Sequence, residues 1–452
     1  MTHSPHASFS NSFAKHVLIY LVLFVGLVLG ALNAVGAFGY GHEQARGDQT
    51  TISKKEKIVE KPVSLKEPAP ETSKLAVTTI EPVAKSQSNK DEFTSADFFN
   101  KATKSFVPVS EMSNIKTYLD VISAKKISLN PASAPLTGAG ITIGIVDSGI
   151  NVNHEELKNL KNTSRLISQA CSGNDDSVSL CDLNNAANIE CDELVIGCYH
   201  GTAVADLAAG KRYKIDIANR TNTFTGGVAP DANVSFSRVT LNKKGELNEL
   251  VLRDGLQKFL NAVNSNSASA PDVVNISIGF ARDGKYADCN VNSEITNVIN
   301  ALVARNITVV ASSGNSGDKN QIMYPACLSN VIAVGASEYD VANNTISDEK
   351  IAGYSQSASE LDVVAPGSNL LASLPTSGKY SYMDGTSFAT PIVSGAVALL
   401  KQANPSLSPA QIRNLLVEGS DQVKDPANGE TYSRINVLNS LKLITSNATN
   451  LN

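Results

Sequence analysis

The sequence predicts an α/β fold in three layers, with a mostly parallel central β-sheet and helices on both of its faces. Three observations predict it. Short apolar runs of strand length, rich in Val and Ile, recur from residue 141 onward. Stretches whose apolar residues repeat at helical spacing lie between them. Strand, helix and strand follow one another in repetition, which implies a mostly parallel sheet covered on both faces.

The first run is Ile141-Thr142-Ile143-Gly144-Ile145-Val146, a buried strand that stops at Asp147 in a Ser-Gly turn. Residues 234–239 form a second strand, followed by a helix through Leu250, Leu256, Phe259 and Val263. Val273-Val274-Asn275-Ile276-Ser277-Ile278 is a third strand. Residues 295–304 read as a helix, Ile307-Thr308-Val309-Val310-Ala311 as a strand, and Val331-Ile332-Ala333-Val334 as another. In a parallel sheet of this kind functional groups belong at the carboxyl ends of the strands. Asp147 lies at one such end and Asn315 just beyond another.

The chain has 452 residues, 42% hydrophobic and 18% charged, enough apolar content for a sizeable core. Its net charge is -5, without an arginine-rich tract, so electrostatics give no case for a nucleic-acid partner. At the N-terminus Lys15 precedes an apolar run from Val17 through Val28 to about Ala37, where Val35-Gly36-Ala37 has the small-residue spacing of a signal-peptidase site. Residues 1–40 are therefore expected to be a signal peptide, or a signal anchor if residues 17–40 stay attached. Export to the periplasm, cell surface or medium follows in either case. Membrane contact would come only through that uncleaved segment. Residues 41–115 are expected to be a flexible linker or pro-region, because Lys, Glu, Pro, Ser and Thr dominate the first half. From residue 93 the apolar content rises, with helical spacing at Tyr118, Val121 and Ile122. The folded domain is placed at residues 116–446, with 447–452 as a tail.

Six cysteines, Cys171, Cys181, Cys191, Cys198, Cys289 and Cys327, all lie past residue 170. In an exported chain an even count points to three disulfides. We expect the first four to pair among themselves and Cys289 to pair with Cys327. A zinc site is disfavoured, because nine residues separate Cys171 from Cys181 and again Cys181 from Cys191, with no C-x-x-C knuckle.

Four of the six histidines lie in the leader or beside it, so a histidine base in the folded domain must be His154 or His200. His200 opens His200-Gly201-Thr202-Ala203-Val204-Ala205, a small-residue helix able to pack closely. On local grounds alone it reads equally as a structural histidine. Ser387 sits in Gly385-Thr386-Ser387-Phe388-Ala389-Thr390-Pro391, ahead of an apolar helix. Pro391 is tolerated near a helix start, which puts the Ser387 N–H at the positive end of the helix dipole. Taken alone it would be read as a cap. Asp147 alone would be a turn-forming residue.

Together these stretches resemble the subtilisin-like serine proteases, the peptidase S8 family. Ile145-Val146-Asp147-Ser148-Gly149-Ile150, with His154-Glu155-Glu156-Leu157 after it, resembles the family's aspartate block. His200-Gly201-Thr202 resembles its histidine block, with Ala203 where relatives usually carry a second histidine. Gly227-Val228-Ala229-Pro230-Asp231-Ala232, Ser312-Ser313-Gly314-Asn315, Tyr324-Pro325-Ala326, Ala365-Pro366-Gly367 and the serine block follow in the family's order. The resemblance covers roughly residues 137–440 and implies a subtilisin-like fold and an exported serine endopeptidase. Ser387 would be the nucleophile, His200 the base, Asp147 its orienting partner and Asn315 an oxyanion donor. Ser277-Ile278-Gly279 and Ser312-Ser313-Gly314 would line the first specificity pocket. Protein or peptide substrates would bind as an added strand. The chemistry would need no cofactor. A structural calcium ion finds no traceable ligand spacing in Asp175, Asp176 and Asp182.

The competing expectation is an inactive subtilase-fold scaffold that binds peptides. Retention of acid, base, nucleophile and oxyanion amide argues against it. A lipase-type hydrolase would need a second glycine where Ala389 stands. A zinc protease would need H-E-x-x-H, which neither His42-Glu43 nor His154-Glu155 completes.

Overall fold

The computed structural model describes residues 103–105, 117–124 and 136–449, less several stretches within the last range, the longest being 173–197. The leader, the linker, Asp175, Asp176, Asp182 and the expected pairing among Cys171, Cys181, Cys191 and Cys198 lie outside what is described.

In chain order the elements are β1 (Thr103–Ser105), α1 (Tyr118–Val121), β2 (Thr142–Asp147), α2 (Glu155–Asn162), β3 (Leu166–Ser172), α3 (Cys198–Ala209), β4 (Tyr213–Ile217), β5 (Arg220–Thr225), β6 (Asn233–Val239), α4 (Glu249–Asn264), β7 (Val273–Ile276), α5 (Glu294–Val303) and β8 (Thr308–Ser312). They continue with β9 (Ile332–Ala342), β10 (Thr345–Ile351), β11 (Val363–Pro366), β12 (Leu370–Ser373), β13 (Tyr380–Met383), α6 (Thr386–Ala403), α7 (Pro409–Glu418), β14 (Asp421–Lys424), β15 (Thr431–Arg434) and α8 (Val437–Thr449).

The main sheet runs β14-β15-β11-β9-β8-β7-β2-β6-β3, with β10 folded back on β9. Every neighbour from β15 to β3 is parallel, and only β14 on β15 and β10 on β9 are antiparallel. The apolar runs account for this. Side chains alternate between faces along a strand. Ile143, Ile145, Val273, Val310 and Val334 join one core cluster, with Val204 and Leu207 of α3 and Ile392, Val393 and Val397 of α6. Val146, Val274, Ile276, Val309 and Ala333 join the other, with Leu252, Leu256 and Phe259 of α4 and Ile295 and Ile299 of α5. A strand with apolar residues in both registers has to be covered twice, and the three expected layers follow.

The stretch with helical spacing at 118–122 is packed into this domain. Thr117 caps α1 with a capping box. Tyr118 and Leu119 are buried, and the Ile122 carbonyl accepts from the Val437 N–H at the start of α8. The sequence reading did not include the antiparallel pair β4–β5 or the hairpin β12–β13. Cys289 and Cys327 stand at disulfide geometry with Cα atoms 5.9 Å apart, the pairing expected for them. Among the described residues no helix is long and apolar enough to cross a membrane.

Two features of the sheet position the site. Strands β6 and β3 lie on one side of β2, and β7, β8 and β9 on the other, so the carboxyl end of β2 sits where the strand order reverses. The helix α6 packs against α3 and across β7, β8 and β9, which brings its N-terminus towards the same end.

Candidate active site

Asp147 is the last residue of β2 and has no exposed surface. Its Oδ1 accepts from the Ser148 N–H at 2.7 Å and lies 3.1 Å from the Ser148 hydroxyl. His200, in the first turn of α3, places Nδ1 2.9 Å from Asp147 Oδ1 and 3.1 Å from Oδ2. Burial alone would pull the imidazole pKa down. The charge of Asp147 and its hydrogen bond outweigh that and hold the pKa above the ordinary histidine value.

Gly201 makes this approach sterically feasible. A Cβ there would stand 2.2 Å from the Gly149 carbonyl oxygen and 3.0 Å from Asp147 Oδ1. The helix therefore meets the end of β2 with bare backbone. Asn151 N–H then donates to the Thr202 hydroxyl at 3.1 Å, stitching the two blocks together. The small residues expected to slim α3 behave accordingly: Ala203, Ala205, Ala208 and Ala209 are all fully buried.

The other histidine of the folded domain is enclosed away from Asp147. His154 is fully buried, with Nδ1 2.5 Å from Glu156 Oε2 and Nε2 3.1 Å from the Lys379 carbonyl. Nε2 is hydrogen-bonded, Nδ1 faces the Glu156 carboxylate without a hydrogen bond, and the Tyr380 ring stands edge-on at 5.0 Å. The donor atoms of His154, Glu155 and Glu156 lie within 4.8 Å of one another.

Ser387 is the second residue of α6 and is half-buried. Its N–H makes no hydrogen bond among the described residues, as expected for a first-turn amide. Phe388, the next residue, sets its ring 5.2 Å from the His200 imidazole. Pro391 sits further into α6 than a helix-start proline would, and this has a consequence. It has no N–H to offer the carbonyl four residues back, which is that of Ser387. The Ser277 hydroxyl takes that carbonyl instead, at 2.8 Å. Ser277 is in turn held by Asn275 Nδ2 at 2.9 Å, and Asn275 Oδ1 by the Ser394 hydroxyl at 3.0 Å. This buried chain ties the end of β7 to the first turns of α6.

Asn315 lies exposed beyond β8. Its Oδ1 accepts from both the Thr386 N–H and the Thr386 hydroxyl, each at 2.9 Å. The amide nitrogen makes no hydrogen bond among the described residues. Ser277, Ile278 and Gly279 leave β7, while Ser312 ends β8 and Ser313 and Gly314 leave it, so the two segments run side by side. The structure thus joins Asp147 to His200 directly. It links Ser277, Asn315 and Ser387 through the first turn of α6. Sequence reasoning missed Thr386, Asn275 and Ser394. The one signal for them is the four-residue interval from Ser387 to Pro391, which announces a carbonyl in need of a donor.

A buried acidic cluster anchors α3 from behind. Asp206 Oδ2 accepts from the N–H and the hydroxyl of Ser373 on β12, both at 2.8 Å, and Tyr380 OH donates to Glu156 Oε1 at 2.5 Å. Burial first, then the charge of Glu156, pushes Asp206 up to about 7. An acid whose pKa rises on folding binds its proton more tightly when folded. Its stabilising contribution is full below the unfolded value near 4 and is lost as pH rises towards about 7. Asp206→Asn keeps a carbonyl for Ser373 and cannot ionise. Thermal denaturation should show it melting roughly 5 °C above the parent at pH 8, with the gap closing near pH 4. A gap independent of pH would contradict the ionisation argument.

The subtilase family, Peptidase S8, matches residues 138–434. Subtilisin Savinase of Lederbergia lenta is 32% identical over 281 residues, covering 62% of this chain and 83% of that protein. The alkaline protease of Alkalihalobacillus alcalophilus is also 32% identical over 281 residues, which span 59% of its own length. A solved structure of a mutant protease domain of PatA superposes with a TM-score of 0.51 at 22% identity, covering 70% of this chain and 99% of that one, a likeness of fold. With two thirds of its length in that match and the sheet, strand ends and helix starts arranged as described, this chain belongs to the subtilase family of serine peptidases.

Proposed function

We propose that the chain is an exported serine endopeptidase that cuts protein or peptide substrates through an acyl-enzyme, with Ser387 as nucleophile. The observation that carries the reading is the 2.9 Å contact from His200 Nδ1 to the buried Asp147 carboxylate. It commits Nδ1 as the donor and leaves Nε2 as the basic nitrogen. His200 Nε2 takes the proton as Ser387 Oγ bonds to the scissile carbonyl carbon, and the carbonyl π electrons move to oxygen. That oxyanion is received by Asn315 Nδ2 and the Ser387 N–H. Collapse breaks the C–N bond, the amine leaves with the proton from His200, and water then releases the acyl group by the same steps. No metal or cofactor takes part in these steps. The backbone segments 277–279 and 312–314 hold the substrate extended. Export is supported by the apolar leader and by the Cys289–Cys327 geometry, which suits an oxidising compartment.

The test is labelling of the purified protein with a peptidyl phosphonate, followed by peptide mapping and casein hydrolysis. Modification should fall on Ser387 alone and abolish hydrolysis. Casein cleavage that persists after complete labelling would sink the assignment.

A further inference from the structure

Resting on the reading of Ser387 as nucleophile with Asn315 as oxyanion donor, we propose that Tyr354 is a positioning residue for the oxyanion site. Its hydroxyl holds the turn that leads into Ser387, and its backbone holds the loop that carries Asn315. The two donors are thereby kept in one frame.

The residue at the entry to α6 is Gly385, which has no side chain to cap the helix. The entry is held from outside instead. The Gly385 N–H donates to the Tyr354 hydroxyl at 3.1 Å and to the Gly367 carbonyl, just past β11, at 2.8 Å. The same hydroxyl donates to the Gly367 carbonyl at 2.6 Å and lies 2.9 Å from the Ser368 hydroxyl. With its one proton on Gly367, it accepts from both Gly385 and Ser368. Burial pushes the phenol pKa up, so that proton stays in place across the range in which His200 titrates.

The backbone of the same residue faces the other donor. The Tyr354 carbonyl accepts from the Gly317 N–H at 2.7 Å, and two residues on the Gln356 N–H donates to the Gly314 carbonyl at 3.0 Å. Asn315 is thus bracketed on both sides by the segment 354–356. Its Oδ1 is bonded to Thr386, the residue after Gly385, and a Cβ on Gly385 would stand 3.4 Å from Asn315 Nδ2. A swing of Gly385 would carry the Thr386 N–H with it and turn the Asn315 amide away from the oxyanion. Such a donor works by being aimed before the charge develops, and one that must reorganise stabilises less. Phe at position 354 keeps the ring and the backbone contacts and removes the hydroxyl alone.

The experiment is a double-mutant cycle on a chromogenic peptide with the parent, Tyr354→Phe, Asn315→Ala and the double variant. Each kcat is taken per Ser387 site titrated with a peptidyl phosphonate. Tyr354→Phe should lower kcat about tenfold, part of the roughly 10²–10³ that loss of a whole donor costs, with KM within about twofold. In the Asn315→Ala background the same change should cost less than about twofold, because the amide it aims is gone. An unchanged kcat, or a loss carried by KM, overturns the inference, as does a loss of the same size without the Asn315 amide. A Tyr354→Phe protein that does not fold and titrates no sites overturns it too, since the hydroxyl would then serve the domain and not the site. A parent that takes no phosphonate and cuts no peptide overturns the reading of Ser387 as well.

Discussion

Replacing Ser387 with alanine is expected to lower kcat by about 10⁶-fold, the scale of loss that subtilisin, a relative, itself shows for its serine or histidine. The reason is geometric. The first turn of α6 supplies the hydroxyl and the Ser387 N–H from one residue, and Ala keeps only the second. Binding should survive, because segments 277–279 and 312–314 and the Ser277 contact to the residue-387 carbonyl do not depend on the hydroxyl. KM should therefore change far less than kcat. His200→Ala should cost about as much, and the double variant little more, since base and nucleophile act as one unit. Steady-state kinetics on a chromogenic peptide with the three variants decide this. Multiplicative losses in the double variant would mean that the two side chains act independently, and the proposed proton transfer would be wrong.

Asp147→Asn is expected to lower kcat by about 10⁴-fold, as the corresponding change does in serine proteases with this triad. The amide can turn its NH₂ towards His200 Nδ1, which then becomes an acceptor and leaves the proton on Nε2, where it blocks transfer from Ser387. The pH profile should move as well. In the parent, burial lowers the His200 pKa, while the charge and hydrogen bond of Asp147 more than reverse this and raise it. The base works in its neutral form, so kcat/KM rises with pH through that raised value. Without the carboxylate only the burial effect remains, and the acid limb of the residual activity should shift to lower pH. A limb that stays in place would show that the titrating base is not His200.

Much of this site was legible in the chain. The apolar runs marked the buried strands, because a strand covered on both faces draws most of its residues from apolar types. The order Asp147, His200, Ser387, each at a strand end or helix start, named the candidate reactive groups. The gap of four from Ser387 to Pro391 left a carbonyl open, yet nothing in the sequence said that Ser277 would fill it. His154 and His200 could not be ranked on chemistry alone. They differ in surroundings: one imidazole is enclosed by Glu156, Tyr380 and the Lys379 carbonyl, and the other meets Asp147 with part of its ring open.

The sequence by itself determined the three-layer sheet and the family, and it named the side chains proposed for the chemistry, since these depend on local period and residue type. Only the tertiary structure decided which histidine meets Asp147 and how the Ser387 carbonyl is held. Those depend on segments tens to hundreds of residues apart in sequence, such as Ser277 and Ser387, whose contact exists only once the sheet and its helices have packed.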